Sequence, residues 1–293
     1  MRQFTAVVNP TAGGSTSAAA LLQVARLLRE AGAELETEYS RSLAHATELA
    51  RQAGDRGRVV LAVGGDGMAG GIGGALSGTG AVLGLVPAGR GNDFARMLGL
   101  PREPAALAGL LLHGEPRPVD TVEVTSAVHD RTVVLGSVYA GVDALANRHA
   151  NHARLLRGTA SYYAGALRAI TTWRRTRYRV TVDGQEHAFG GYTVVAANSG
   201  YYGSNRLIAP GARVDDGLLE VVMIHEAPRR LFFALMNELE SGTHVRRPQV
   251  RVVRGREVRI EADRAIPYGA DGEVEAVLPV TARVLPGALR VLY

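Results

Sequence analysis

The chain predicts an α/β fold in two parts: an N-terminal domain around a parallel sheet, then a C-terminal antiparallel β-sandwich domain. Three observations lead there. As far as about residue 115, strand-length apolar runs alternate with stretches of helical apolar spacing, the order that builds a parallel sheet. Three of these strands run directly into loops of glycine and other small residues. From Val119 onward the pattern changes to short alternating runs, eight in all, which suit an antiparallel sandwich or barrel.

A length of 293 residues with 46% hydrophobic and 21% charged content provides enough apolar material for two cores and argues against disorder. Cysteine is absent, which excludes disulfides, zinc thiolate sites and a cysteine nucleophile. The apolar run at 4–8 is too short for a signal peptide, and no run of 18 apolar residues occurs, so a cytoplasmic protein without a membrane span is expected. The net charge of +5 favours anionic partners. No lysine is present, so every fixed cation is arginine and a P-loop lysine is excluded. Any phosphate must therefore be held by backbone amides, arginine, hydroxyls or a metal.

Taken in order, residues 4–9 read as the first strand and 10–15 as a loop. A helix follows from about Ser17, with Leu21, Leu22, Ala25 and Leu28 at helical spacing and Gly32 closing it. Strand, small-residue loop and helix form an anion site, because the helix N-terminus offers free amides and a positive dipole end. Residues 34–39 alternate as a strand, and Ser42 caps a helix running to Gly54. The run 59–63 is a buried strand that enters Gly64-Gly65-Asp66-Gly67, where backbone amides can approach a ligand closely. The alternative for that loop is a tight turn whose Asp66 caps the next helix. Residues 68–76 have helical spacing but carry Gly70, Gly71, Gly73 and Gly74, each costing about 1 kcal/mol in a helix, so close packing against a strand or ligand is expected.

Residues 82–86 form another buried strand leading into Gly89-Arg90-Gly91-Asn92-Asp93, after which Asn92 or Asp93 caps a short helix. Phe94 stands where a dinucleotide fingerprint needs its third glycine, which weakens a Rossmann reading. Pro104 opens a helix to Leu112. The alternating strands then fall at 119–125, 132–139, 178–183, 187–196, 217–224, 249–253, 257–262 and 275–280, interrupted by helical stretches at 144–173 and 229–239. A last strand, 288–293, can pair back onto either domain.

Asp-Gly occurs four times, and its ordinary meaning is a hairpin turn. Asp183-Gly184 fits that meaning; Asp66-Gly67 does not, because a helix-like segment follows. Asp215-Asp216 places two carboxylates together, as a hard cation such as Mg2+ requires or as a solvated turn allows. Asp271-Gly272-Glu273 is open to two readings, a turn or a catalytic carboxylate. Serine hydrolase and zinc motifs are absent, and His149 and His152 have no acidic companion. The aromatics are few and scattered, so nucleic acid is not an expected partner.

Together, Asn9-Pro10, Gly64 to Gly67, Pro87 to Arg96, Ala209-Pro210 through Asp215-Asp216-Gly217, and Ala270 to Glu273 resemble the diacylglycerol kinase catalytic-domain family. That family includes bacterial soluble lipid kinases and sphingosine kinases, and the motifs lie in order over essentially the whole chain. The resemblance implies a nucleotide-binding α/β domain (1–121 plus 284–293), a lipid-substrate domain (122–283), an active site in the cleft between them, and transfer of the ATP γ-phosphoryl to a lipid hydroxyl, most readily that of diacylglycerol. Carried over by motif, Asn9, Pro10, Thr11, Ala12, Gly13, Ser40, Gly64, Gly65, Asp66, Gly67, Met68, Arg90, Asn92, Asp93 and Glu273 would hold ATP. Asp66, Asp93 and Asp120 would form a polar network around water and Mg2+. Asp215, Asp216 and the Leu218 carbonyl would bind a further Mg2+, and Asp271 would take the proton of the attacking hydroxyl. Phosphoryl transfer needs positioning and charge neutralisation more than covalent chemistry, so such a set suffices without lysine.

This chain departs from the family pattern in places. Met68 replaces the usual threonine, Gly70-Gly71 an Asn-Glu pair and Arg90 a second threonine, while Gly211 and Arg213 stand where further acids are common. Two other functions therefore stay open, a catalytically weak nucleotide- or lipid-binding regulator and a nicotinamide-nucleotide kinase. A lipid substrate also implies a membrane surface as partner. Arg148, Arg154, Arg157, Arg168, Arg174, Arg175 and Arg177 cluster around Leu155, Leu156, Tyr162, Tyr163 and Trp173, and Arg229-Arg230 precede Leu231-Phe232-Phe233, so peripheral membrane association is expected. A homodimer is left open.

Overall fold

The computed structural model describes residues 2–10, 15–89, 91–128, 130–152, 165, 168–203 and 205–293. The N-terminal part comprises β1 (Gln3–Val8), α1 (Ser15–Glu30), β2 (Glu34–Tyr39), α2 (Leu43–Asp55), β3 (Val59–Gly64), α3 (Asp66–Leu76), β4 (Val82–Pro87), α4 (Asp93–Met97) and α5 (Pro104–His113). The four strands pair in parallel in the order β4-β3-β1-β2. β3 is buried along its whole length, as expected for a strand covered on both faces. Its Val60 and Ala62 enter the core beneath α2 and α3, while Val59, Leu61 and Val63 enter the core beneath α1 and α5. The expected cap of α2 is present: the Ser42 hydroxyl accepts the His45 amide at 3.1 Å.

The remainder is β5 (Pro116–Ser126), β6 (Thr132–Val134), β7 (Ser137–Gly141), α6 (Val142–His152), β8 (Arg177–Val182), β9 (Gln185–Ala197), β10 (Tyr201–Tyr202), β11 (Arg206–Leu207), β12 (Leu219–His225), the helix Arg229–Glu238, β13 (Val250–Gly255), β14 (Glu257–Ala262), β15 (Pro267–Ala270), β16 (Glu273–Val277) and β17 (Val280–Leu292). Its sheet pairs are antiparallel, and a third hydrophobic core fills the space between its layers. Two long strands join the layers. β9 pairs with β8 through residues 185–190 and with β7 and β12 beyond them. β17 pairs with β5 and β14 and ends beside β4, in parallel, returning the chain to the first sheet.

Two expected strands are subdivided. The run expected at 132–139 breaks at Leu135-Gly136 into β6 and β7, and the run at 275–280 breaks before Val280. β15 is an addition, since a four-residue Pro-Tyr-Gly-Ala segment carries no period by which to recognise it. Of the helix expected over 144–173, residues 142–152, 165 and 168–172 are helical, and 153–164 and 166–167 lie outside the described residues.

The glycines of α3 are explained by contact. Cβ atoms added at Gly73 and Gly74 would lie 2.5 Å from Leu135 Cδ1 and 2.2 Å from the Val133 carbonyl oxygen. α3 thus packs its backbone onto β6, which links the parallel sheet to the sandwich. Gly74→Ala pushes against a carbonyl that cannot rotate away, so its urea midpoint should fall by an amount equivalent to about 1–3 kcal/mol, the usual range for overpacking. An unchanged midpoint would mean that α3 sits further from β6.

Candidate active site

The β15–β16 hairpin turns through Asp271 and Gly272, with φ of 45° and 93°. A two-residue hairpin loop favours positive φ at such positions, so Asp271-Gly272 is the turn that its sequence allows and also a carboxylate held in place. Asp271 Oδ2 accepts the Leu135 amide at 2.8 Å, and Oδ1 accepts those of Gly136 at 2.7 Å and Ser137 at 3.1 Å. The break between β6 and β7 is what releases these amides from sheet pairing. Burial, with the negative charge of Asp66 adding to it, raises the Asp271 carboxyl to about 6 against the opposing pull of the three amides. The carboxylate is flanked by two glycines: a Cβ on Gly70 would lie 2.9 Å from Oδ2, and one on Gly136 would lie 2.6 Å from Oδ1.

The two glycine-rich loops of the parallel sheet meet nearby, at the carboxyl ends of β3 and β4. A Cβ on Gly89 would be 2.4 Å from Gly65 Cα. Asn92, at φ 53°, closes the second loop by accepting the Gly89 amide at 3.0 Å and donating to its carbonyl at 2.8 Å. Its side chain therefore makes no cap to α4. Asp66 performs that role from the neighbouring loop, with Oδ1 accepting the Asp93 amide at 2.6 Å and the Phe94 amide at 3.4 Å. Burial first, then the Asp93 charge, pushes the Asp66 carboxyl up. Asp93 Oδ1 in turn accepts the Asn205 amide at 2.8 Å, tying α4 to the β10–β11 hairpin.

Asp66, Asp93 and Asp271 line a cavity of about 710 Å3 whose walls come from both the parallel-sheet part and the sandwich. Its wall also includes Tyr139, Asp143, Asn147, Tyr202, Arg206 and Met236. Asp143 is buried, accepts the Thr193 hydroxyl at 3.0 Å and the Tyr202 hydroxyl at 3.2 Å, and has its carboxyl raised by burial. Sequence reading passed over Asp143 and the Leu135–Ser137 amides. The only signal for Asp143 was an acid ending an apolar run at Gly141-Val142.

The other expected ATP residues separate into groups. Asn9 and Ser40 end β1 and β2 at the same sheet edge, where the buried Ser40 hydroxyl donates to the Val8 carbonyl at 3.1 Å; Pro10 is exposed beside them. Gly67 is exposed in the first turn of α3 with open space around its α-carbon, so its amide can be approached directly. Met68 is different: it is buried in the core beneath α3 and packs over Gly64, so its side chain does not replace a hydroxyl toward phosphate. Glu273 is exposed and does not line the cavity. Thr11, Ala12, Gly13 and Arg90 lie outside the described residues.

Asp120 does not join Asp66 and Asp93. It is buried in β5, where its carboxylate accepts the Gly217 and Gly287 amides, each at 2.7 Å, and feels the charges of Asp216 and Asp215. At the Asp215-Asp216 turn both carboxylates have protein partners. Asp215 pairs with Arg213 at 3.1 Å, Asp216 Oδ1 accepts the Leu218 amide at 3.1 Å, and Asp216 Oδ2 pairs with Arg254 at 2.7 Å. Among the described residues, no three acids or histidines are grouped to hold a metal. At the cavity the position differs: repulsion among Asp66, Asp93 and Asp271 favours a cation, and Mg2+ ordinarily takes one or two carboxylates while phosphates and water complete its shell. These residues fit a nucleotide-borne ion.

The membrane-facing expectation is modified. Trp173 is buried in the sandwich core with the Arg264 guanidinium 5.5 Å from its ring, so it is no surface anchor. Arg154, Leu155, Leu156, Arg157, Tyr162 and Tyr163 lie outside the described residues, as do the side chains of Arg229, Arg230, Phe232 and Phe233. Among the described residues, no helix is long and apolar enough to cross a membrane.

Comparison with known proteins gives two family matches, the diacylglycerol kinase catalytic domain over residues 3–124 and the YegS C-terminal NAD kinase beta sandwich-like domain over residues 136–293. A diacylglycerol kinase of Mycobacterium tuberculosis is 32% identical, with 99% of this chain and 94% of that protein covered. A protein of Chromohalobacter salexigens described as a "probable lipid kinase YegS-like" is 34% identical over 89% of this chain and 85% of its own length. The crystal structure of a diacylglycerol kinase from Bacillus anthracis shares the fold, with a TM-score of 0.72 at 19% identity, covering 100% of this chain and 96% of that one.

Proposed function

This chain belongs to the diacylglycerol kinase family and is a lipid kinase, and we propose that it transfers the γ-phosphoryl group of ATP to the hydroxyl of a diacylglycerol-type lipid, with Mg2+ and with Asp271 as base. One observation carries this reading: Asp271 is pinned by three amides between two glycines, in the wall of a cavity that it shares with Asp66 and Asp93. The cavity is a place for the acceptor, and its mixture of aromatic, apolar and polar side chains suits the neck of a lipid.

ATP phosphates would lie against the loops at Asn9, Gly64 to Gly67 and Asn92, with the N-terminus of α3 supplying amides and the positive end of its dipole. Mg2+ bound with the nucleotide would neutralise phosphate charge, with Asp66 and Asp93 as its protein-side carboxylates. The acceptor hydroxyl would donate a hydrogen bond to Asp271. As its oxygen bonds to the γ-phosphorus and the bond to ADP breaks, the hydroxyl proton passes to the Asp271 carboxylate. Burial, which raises the Asp271 carboxyl to about 6, makes it a stronger base than a solvated aspartate.

We further propose that the enzyme works at a membrane surface. The exposed arginines Arg174 and Arg177, which follow the stretch rich in arginine and tyrosine, support this. The test is transfer of γ-labelled phosphate from ATP to lipids in mixed micelles. Labelled phosphatidic acid should form from diacylglycerol and vanish when EDTA removes Mg2+. Label on a nicotinamide nucleotide instead of a lipid, or no transfer across a panel of lipid alcohols, would overturn the proposal.

A further inference from the structure

We propose that in this chain the Arg254 guanidinium takes the place of the second Mg2+ that the family resemblance assigns to the Asp215-Asp216 turn, so the turn is closed by a built-in cation and needs no metal. The geometry starts from register. Arg254 lies on β13 directly across from Glu220 on β12, at the end of the sandwich where the 211–218 loop enters the sheet. From there one guanidinium nitrogen, Nη2, donates to Asp216 Oδ2 at 2.7 Å and to the Gly211 carbonyl at 3.0 Å. A carboxylate from one side of the loop and a backbone carbonyl from the other are the oxygen types that a hard cation gathers.

The aspartate oxygens around the turn have protein partners. Asp216 Oδ1 accepts the Leu218 amide, Asp215 faces the Arg213 fork, and both oxygens of Asp120 accept backbone amides. An entering Mg2+ would have to displace the Arg254 guanidinium from Asp216 Oδ2 and from the Gly211 carbonyl. Glu220, buried beneath the loop, accepts the Gly211 amide through Oε1 at 3.4 Å, has no hydrogen-bond partner at Oε2, and adds negative charge that Arg254 offsets. Gly211 and Arg213, which differ from the acids common in the family, agree with this arrangement: the loop has lost anionic ligands and gained cations.

The test does not depend on the kinase reading, because it is made on the nucleotide-free protein. The melting temperature of the wild type should be the same in EDTA as in millimolar Mg2+. Manganese added to that protein should show no tightly bound ion by electron paramagnetic resonance. Arg254→Met should melt roughly 2–4 °C lower, as expected for loss of about 1 kcal/mol, and Mg2+ should raise its melting temperature. A wild-type melting temperature that falls in EDTA and recovers with Mg2+ would overturn the proposal. So would tight manganese binding to the wild type that Asp216→Asn abolishes. Should Arg254→Met fail to fold, the two wild-type measurements decide the matter alone.

Discussion

Asp271→Asn should lower kcat by about 10²–10⁴-fold, the range that general-base catalysis contributes, and leave the affinity for a fluorescent ATP analogue unchanged. The substitution keeps an oxygen to accept the Gly136 and Ser137 amides but removes the acceptor for the hydroxyl proton. The nucleotide loops at Gly64 to Gly67 and Asn92 are untouched. Asp271→Glu should fail comparably, because an added methylene would drive the carboxylate out of the space between Gly70 and Gly136. The pH profile supplies a second readout. Because the carboxyl is raised from 3.8 to about 6, the catalytically competent ionised form is lost as pH falls through 6 and not through 4. The kcat/KM of the wild type should therefore be flat above about pH 7 and fall tenfold per unit well below 6, and residual activity of Asp271→Asn should lack this limb. Full activity in Asp271→Asn, or a wild-type limb near pH 4, would remove Asp271 from the role of base.

Much of this candidate site is legible in the sequence because its glycine-loop half is local. Gly64 to Gly67 and Gly89 to Asp93 each follow a buried strand directly, so residue type and position within one βα unit place them at the same sheet edge. The Ser42 cap is local in the same way. The half around Asp271 is not local. The amides that hold Asp271 belong to residues 134 to 136 positions earlier in the chain, and backbone amides carry no residue signature. Only the Leu135-Gly136 break inside an otherwise regular strand marks them, and alternation alone reads through it. Asp143 and Asn205 likewise acquire meaning only when the β10–β11 hairpin and α6 come together around the cavity. Met68 shows the reverse error: proximity to a phosphate loop suggests a ligand, but one helical step past Gly67 the side chain points into the core.

Gly70→Ala should cost about 10²-fold in kcat, the scale of a misplacement of roughly 1 Å in a reacting group, while leaving the fold intact. In an exposed helix the change would stabilise, since alanine is favoured over glycine by about 1 kcal/mol. Here the new Cβ would lie 2.9 Å from Asp271 Oδ2. A free carboxylate would swing aside at small cost, but this one is fixed by the amides of Leu135, Gly136 and Ser137, with Gly136 closing its other side. Either the base shifts and loses an amide, or α3 tilts and carries Asp66 with it; both outcomes separate proton acceptor from nucleotide. Gly109→Ala in α5 is the control, because an added Cβ there meets nothing within 4 Å. It should raise the melting temperature and leave kcat unchanged, whereas Gly70→Ala should separate the two readouts by lowering kcat without lowering the melting temperature to match. Gly70 lies where the family usually carries the first residue of an Asn-Glu pair, and in this chain a side chain there would meet the Asp271 carboxylate. A Gly70→Ala enzyme with wild-type kcat would show that Asp271 tolerates displacement, and so that its confinement between two glycines is not what makes it the base.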